Sequence, residues 1–144
     1  LDTDAFDVQI DTNVRGVYLC TREAVPMMRA QNEETGFGGH IVNVASIAGL
    51  LGNPNLSAYN ASKFAVRGLS EAVMKEVRDD GIRVTCLYPG SVDTNFFDVA
   101  GTEMTENPLQ PEDVAAVVQH VLEPPANHLI SEVVMRPLRP HREG

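Results

Sequence analysis

Apolar residues recur along this chain with two different spacings, one typical of helices and the other of strands. Between residues 4 and 31 they fall every three or four positions, which predicts an amphipathic helix capped by Asp2 or Thr3. The same spacing predicts helices at about 57–79 and at 111–124, the latter with a proline near its first turn.

Three short runs rich in β-branched residues alternate with these helices. "HIVNVAS" (40–46), "IRVTCLY" (82–88) and "HLISEVVMRPL" (128–138) predict buried strands. The order α-β-α-β-α-β, without repeat or linker, indicates one α/β domain over 1–144 whose strands run parallel, with helices on both faces. We expect a doubly wound, Rossmann-like sheet of about three strands and three helices. Ligands of such sheets gather beyond the carboxyl ends of the strands.

Composition excludes several classes of partner. The chain has 20 acidic and 11 basic residues, a net charge of −9, so it lacks the basic surface that would neutralise nucleic-acid phosphates. No apolar run reaches the length of a membrane span, and no signal peptide precedes the first helix. We therefore expect a cytoplasmic protein that binds neither nucleic acid nor membrane.

Cysteines and histidines give no sign of a metal site. Cys20 and Cys86 lie within apolar patterns and lack the spacing of a disulfide framework or a metal motif. The four histidines are scattered, and none pairs with another one helical turn away. No bound metal is expected.

One group of side chains suggests proton transfer. Ser46 lies at the carboxyl end of a predicted strand, and Tyr59 and Lys63 lie one turn apart near the start of the next helix. A lysine ammonium about 5 Å from a phenol, at an effective dielectric near 20, favours the phenolate by roughly 3 kcal/mol, or about two pKa units. Ser46 could hydrogen-bond a substrate carbonyl or alcohol. Without Ser46, an exposed contact on a helix surface would be the favoured interpretation of the Tyr–Lys pair.

The context of these residues resembles the short-chain dehydrogenase/reductase family. "NVRGVYL" in the first helix, "VNVASIAG", "YNASK" thirteen residues after the serine, and "LYPGSVDT" after the next strand match that family in order and spacing. The resemblance implies an oxidoreductase that interconverts an alcohol and a carbonyl on a small molecule, with NAD or NADP as cofactor. The segments "EDVAAVVQHVL" and "SEVVMRP" resemble members acting on small alcohols and hydroxy acids, many of which use NADP.

The resemblance also implies roles for the catalytic residues. Tyr59 would be the general acid/base, and Lys63 would lower its pKa while binding the nicotinamide ribose. Ser46 would orient the substrate and stabilise the transition state. Asn13 would interrupt the first helix and hold a water in a proton relay, although a solvated helix residue would look the same in sequence.

Cofactor contacts are implied in the loop after the second strand. Pro89 and Gly90 would form the floor of the nicotinamide pocket, and Val92 and Thr94 would hold the carboxamide or phosphate end of the cofactor. Thr94 could instead be an ordinary helix cap. The loop from Asn95 to about 110, with Phe96, Phe97 and Met104, would be a substrate lid, or the Phe-Phe pair could belong to the core.

The family's glycine-rich dinucleotide turn is missing from its expected place. It should precede the catalytic serine by well over a hundred residues, whereas only 45 precede Ser46 here. "TGFGG" (35–39) leads from a helix into a strand, the reverse of the order that a phosphate cradle needs. "GLLG" (49–52) is better interpreted as the loop before the catalytic helix. The sequence thus resembles the carboxyl-terminal half of such an enzyme.

Two hypotheses follow for the function of the chain. It is part of a complete oxidoreductase, or it is an inactive fragment that serves as an oligomerisation or interaction module. The first two helices carry apolar residues beyond their sheet-facing stripes, for example Val25, Met27, Ala72 and Met74. By resemblance, these helices would pack against a second copy in a homodimer or homotetramer.

Overall fold

The computed structural model describes residues 2–95 and 104–141. Its first helical segment begins as predicted at Asp2, whose Oδ1 accepts hydrogen bonds from the backbone nitrogens of Asp4 (2.8 Å) and Ala5 (3.2 Å).

This first segment is not one regular helix. Helix α1 (Thr3–Ile10) passes through a π-helical turn (Asp11–Arg15) into α2 (Gly16–Thr35). Helix α2 ends at Thr35, four residues beyond the end of the predicted apolar stripe, and Gly36 follows it in the left-handed conformation (φ 75°). The π-helical turn contains Asn13, so the expected interruption of the helix at this residue is confirmed.

Three parallel strands form the sheet in the order β1-β2-β3. Strand β1 is His40–Val44, β2 is Arg83–Pro89 and β3 is Glu132–Met135. The parallel α/β arrangement is therefore confirmed, although β1 and β3 are shorter than predicted. The central strand β2 pairs with both neighbours, with Cys86 opposite Asn43 on β1 and Glu132 on β3.

In the described part of the chain, two helices return it from one strand to the next. Helix α3 (Ser57–Val77) connects β1 to β2, and α4 (Pro111–Leu122) connects β2 to β3. Pro111 lies at the start of α4 as predicted, and the Asp113 carboxylate accepts a hydrogen bond from the Gln110 nitrogen (2.8 Å). Within the described residues, no helix combines the length and hydropathy needed for a membrane span.

The core lies against the central strand. Val84, Cys86 and Tyr88 alternate along β2 and pack against α2 and α3, while Leu87 on the opposite face is fully buried as well. Each fully buried aliphatic or aromatic side chain contributes about 1.5–3 kcal/mol. Val25 of α2 belongs to this core, so its assignment to an exposed, copy-facing surface was wrong.

Met74 also packs against the core cluster of β2 and is partly buried. It is therefore not a residue of the outer helix surface either. Met27 and Ala72, the other two residues predicted to lie there, are exposed. The helical period assigned too many positions to the outer surface because α2 contacts both the sheet and α3.

At the amino-terminal end of the sheet, the turn that follows α2 packs against the turn that follows α3. Gly38 donates a backbone hydrogen bond to the carbonyl of Gly81 (3.2 Å), and Asn32 Nδ2 donates to the carbonyls of Gly38 (2.9 Å) and Asp80 (2.8 Å). A Cβ on Gly81 would lie 2.3 Å from the carbonyl oxygen of Gly36. "TGFGG" is thus a packing element at the end of the sheet opposite to Ser46.

Candidate active site

Ser46 is held just beyond the carboxyl end of β1. Its backbone is extended, and its Oγ accepts a hydrogen bond from the Ala48 nitrogen (3.1 Å), which caps the short 3₁₀ turn Ile47–Gly49. The same hydroxyl donates to the Pro89 carbonyl at the end of β2, at a long 3.5 Å. Ser46 therefore joins the ends of two neighbouring strands.

Tyr59 and Lys63 lie one turn apart near the start of α3, both half-buried. The Lys63 ammonium lies 5.5 Å from the centroid of the Tyr59 ring and donates a hydrogen bond to the Val44 carbonyl (3.2 Å). The predicted neighbourhood of phenol and ammonium is thus present, but the ammonium lies over the face of the ring and is anchored to β1.

The pKa of the Tyr59 phenol differs in direction from the sequence-based expectation. Burial raises the pKa above its usual range, and a hydrogen bond with the Ser46 side chain partly offsets this rise. Burial also lowers the pKa of the Lys63 ammonium. In the chain by itself, the net shift of the Tyr59 pKa is therefore upward because desolvation outweighs the Ser46 hydrogen bond, and the lowering of this pKa by Lys63 stays a prediction.

A cavity of about 310 Å³ opens at this edge of the sheet. Seven of the eight residues predicted for catalysis or cofactor binding line it: Ser46, Tyr59, Lys63, Pro89, Gly90, Val92 and Thr94. Apolar side chains such as Ile47 and Leu56 supply much of the remaining wall, and none of the described residues that line it is acidic. Its volume is at the lower end of the range of about 300–1,000 Å³ typical of ligand pockets.

The floor of the cavity is fixed by the backbone of β2 and β3. Gly90 donates a backbone hydrogen bond to the Met135 carbonyl (2.8 Å), and a Cβ on Gly90 would lie 3.3 Å from that oxygen. Val92 pairs with Leu109 in a parallel bridge, and Leu109 donates a backbone hydrogen bond to the Ser91 carbonyl (2.9 Å). The floor is therefore defined by main-chain contacts rather than by mobile side chains.

Asn13 is the one predicted catalytic residue outside the cavity wall. Its Nδ2 donates to the Ser62 hydroxyl (3.1 Å), and Ser62 donates to the Tyr59 carbonyl (2.8 Å). Asn13 thus connects the π-helical turn to α3, the helix that carries Tyr59 and Lys63. Of the predicted lid, Phe96 and Phe97 lie outside the described residues.

Two residues that sequence patterns did not single out support the site. Asn60 is buried and hydrogen-bonds the loop that carries Ser46, and Gly49 lets that loop approach α3, since a Cβ there would lie 2.7 Å from the Lys63 carbonyl. Asn60 is the residue after Tyr59 within "YNASK", and Gly49 belongs to "VNVASIAG". Periodicity does not reveal them because both act on backbone groups.

The chain is an α/β protein in which Ser46, Tyr59 and Lys63 line one cavity at the carboxyl edge of a parallel sheet. Known proteins are similar to it in sequence and fold. The sequence profile described as "short chain dehydrogenase" matches residues 1–105. An uncharacterized oxidoreductase of Staphylococcus aureus is 32% identical over 135 residues, which cover 94% of this chain and 56% of the relative.

Solved structures give the same result. A serine dehydrogenase in a closed form complexed with NADP⁺ superposes with a TM-score of 0.84 at 30% identity, over 96% of this chain and 58% of that one. A 3-ketoacyl-(acyl-carrier-protein) reductase from Brucella melitensis, complexed with NADH, superposes with a TM-score of 0.79 at 29% identity, over 93% and 58%. This chain belongs to the short-chain dehydrogenase family, and it spans somewhat more than half the length of the relatives it matches.

Proposed function

We propose that this chain is the catalytic, carboxyl-terminal part of an NAD(P)-dependent oxidoreductase that interconverts an alcohol and a carbonyl. The observation that carries the proposal is the convergence of Ser46, Tyr59 and Lys63 on one cavity at the carboxyl edge of the sheet. They come from a strand end and a helix start, and the intervening loop is held against both. The alternative, an inactive module that only associates with other chains, gives no reason for this convergence.

The cavity residues fit the nicotinamide end of such a cofactor. Lys63 and Thr94 offer polar groups to a ribose or carboxamide, and Pro89, Gly90 and Val92 provide an apolar floor. When bound, the nicotinamide supplies the acceptor or donor of hydride. Two of the structural relatives are complexed with NADP⁺ or NADH, and the resemblance of the final segment favours NADP for this chain.

The residues of this chain would handle the proton. In the reducing direction, the Tyr59 phenol donates its proton to the carbonyl oxygen, and Ser46 Oγ hydrogen-bonds the same oxygen. In the oxidising direction, the phenolate accepts the proton of the alcohol. Because burial raises the pKa of Tyr59, the phenol is protonated near neutrality, and we infer that oxidation needs a more alkaline solution than reduction.

An assay of the native protein tests this proposal. Purified protein is mixed with NADP or NAD and a panel of small alcohols and hydroxy acids, and formation of the reduced nicotinamide is followed by absorbance. Turnover with at least one substrate, faster at alkaline pH, is the expected result. A native protein that is folded yet inactive with both cofactors would favour the interaction module.

We also propose that the outer surface of the first helices and α3 contacts a second copy. Large apolar side chains are exposed there, including Phe6 (41%), Tyr18 (53%), Met27 (66%) and Phe64 (43%). A surface of this kind is unusual for a monomer in water. Light scattering at micromolar concentration should give a dimer or tetramer, and Met27→Glu should shift it toward monomer. A monomer at every concentration would contradict the proposal.

A further inference from the structure

Asn60 follows the general acid/base in the chain, but its side chain faces away from the cavity. Its residue exposure is 8%, and its Nδ2 donates hydrogen bonds to the carbonyls of Ala48 (2.7 Å) and Leu51 (2.8 Å). Its Oδ1 accepts a hydrogen bond from the Asn53 nitrogen (3.0 Å). One side chain on the catalytic helix thus binds three points of the loop between β1 and α3.

This loop carries the serine of the site. The backbone N–H of Ala48 donates a hydrogen bond to Ser46 Oγ (3.1 Å), and the backbone carbonyl of Ala48 accepts one from Asn60. Ala48 therefore connects the serine to Asn60. Directly after it, the backbone of Gly49 packs against the Lys63 carbonyl, where a Cβ would lie 2.7 Å away. The position of Ser46 relative to α3 is therefore determined by contacts to Asn60 and Lys63.

We propose that Asn60 is a positioning residue that holds the hydroxyl of Ser46 at the phenol of Tyr59. Asn60 then acts on proton transfer through the hydrogen bond between Ser46 and Tyr59. The inference rests on the proposed function of the site. Its physical basis is that a buried amide with three backbone partners fixes a loop more firmly than backbone propensity does, since losing it leaves buried carbonyls without donors.

The inference predicts a change in pH dependence as well as a loss of rate. Without Asn60, the loop and its serine can move away from the phenol. The Ser46 hydrogen bond is what counters the burial-induced rise in the pKa of Tyr59, so weakening it raises that pKa further. In the oxidising direction, the rate rises with pH as Tyr59 loses its proton. A higher pKa therefore moves this rise to higher pH. At a fixed pH near neutrality, kcat should fall roughly tenfold, the usual effect of one hydrogen bond.

The chain offers a matched control. Asn32 is equally buried (7%), and its Nδ2 also donates to two backbone carbonyls, of Gly38 and Asp80, at the opposite end of the sheet. Asn32→Ala and Asn60→Ala both remove two side-chain hydrogen bonds to backbone carbonyls, at opposite ends of the sheet, and Asn60→Ala also removes the acceptor of the Asn53 nitrogen. Both should lower the free energy of unfolding, whereas only Asn60→Ala should move the pH–rate profile.

The experiment compares these two variants with Ser46→Ala in the native, full-length protein, by urea unfolding and by pH–rate profiles with the best substrate. Asn60→Ala is expected to move the rise of rate with pH to higher pH, in the direction seen for the residual activity of Ser46→Ala. Asn32→Ala should leave the pH–rate profile unchanged. If Asn60→Ala does not fold, Asn60→Ser, which keeps one donor, gives the same comparison.

Identical profiles for Asn60→Ala, or for Asn60→Ser in its place, and the wild-type protein, despite reduced stability, would overturn the inference and leave Asn60 a merely structural residue. A wild-type protein with no dehydrogenase activity would instead refute the proposed function, a result that these variants cannot mimic. The two failures are therefore distinguishable.

Discussion

The two ends of the parallel sheet have the same kinds of packing contact, a buried asparagine and a glycine, but differ in what they enclose. At each end a buried asparagine donates to two backbone carbonyls, Asn60 at the carboxyl end and Asn32 at the amino end. At each end a glycine permits close contact, Gly49 with Lys63 and Gly81 with Gly36. These contacts fix loops in both places and do not by themselves create a site.

What differs is the chemistry that the fixed loops present. The loop at the carboxyl end holds Ser46 beside Tyr59 and leaves a cavity of about 310 Å³, whereas the turns at the amino end fill the space between them with backbone. Strand direction explains the asymmetry in part, since parallel strands bring their carboxyl-end loops together at one edge. Glycine content therefore indicates where backbone segments approach, and the direction of the strands indicates where a ligand can bind.

The largest effect on stability is expected at the amino end. In Gly81→Ala, the new Cβ would lie 2.3 Å from the Gly36 carbonyl oxygen in a backbone with φ near 72°. Backbone strain and overlap together should lower the free energy of unfolding by about 3 kcal/mol, while the activity of the folded fraction persists. Urea unfolding measures the first and turnover per folded molecule the second.

Gly68→Ala is the matched control for this change. Gly68 lies in the middle of α3, and a Cβ added there would meet no atom within 4 Å apart from its chain neighbours and the backbone of its own helix. Alanine should therefore stabilise the protein by about 0.5–1 kcal/mol. A Gly81→Ala protein as stable as the wild type would show that the two turns can separate without cost, and the comparison of the two ends would fail.

At the carboxyl end, the larger effect should be on cofactor affinity. Lys63→Met removes the ammonium that lines the cavity and binds the Val44 carbonyl. Loss of one charge-assisted contact should weaken NADP or NAD binding about 10- to 100-fold, as measured by calorimetric titration. Lys75→Met, on the exposed surface of the same helix, should leave affinity unchanged. Equal affinities for both variants would remove Lys63 from the cofactor site.

The smallest effect concerns pH and again lies away from the site. Thr85 donates its hydroxyl to the Ile130 carbonyl (2.6 Å), so it accepts a hydrogen bond from the Nε2–H of His40 (2.7 Å). Burial and, next, the neighbouring Arg83 lower the pKa of His40 to about 4. The unfolded chain binds this proton near pH 6.5. The contribution of neutral His40 to the free energy of unfolding is therefore complete above that pH and is lost as pH falls toward 4.

The expected loss from this histidine is roughly 1 kcal/mol of unfolding free energy between pH 7 and pH 5, about half of the unscreened value, because the ring is only half-buried and solvent screens its charge. His40→Gln keeps a donor for Thr85 but does not titrate, so its stability should vary less over this range. Urea unfolding at both pH values measures the difference. Equal slopes for His40→Gln and the wild-type protein would show that His40 is protonated in the folded state.

Sequence patterns predicted the parallel α/β fold because hydrophobic period and strand order are local or topological properties. They also predicted that Ser46, Tyr59 and Lys63 meet, since Ser46 follows a strand and Tyr59 begins a helix on the same edge, whereas Pro89, Gly90, Val92 and Thr94 were implied only by the family resemblance. Sequence patterns gave wrong predictions for properties that depend on which side chains are buried. The direction of the Tyr59 pKa depends on desolvation, and the core position of Val25 depends on which neighbours α2 contacts. The role of Asn60 required the loop geometry itself.

The central claim is that Tyr59 transfers the proton at the carboxyl end of the sheet. Its most direct test is the turnover of Tyr59→Phe in the native, full-length protein, with Tyr18→Phe on the exposed surface of α2 as control. With folding and cofactor affinity intact, Tyr59→Phe should lower kcat by about 10²–10⁴, while Tyr18→Phe keeps wild-type turnover. Nearly normal turnover of a correctly folded Tyr59→Phe protein would contradict the account.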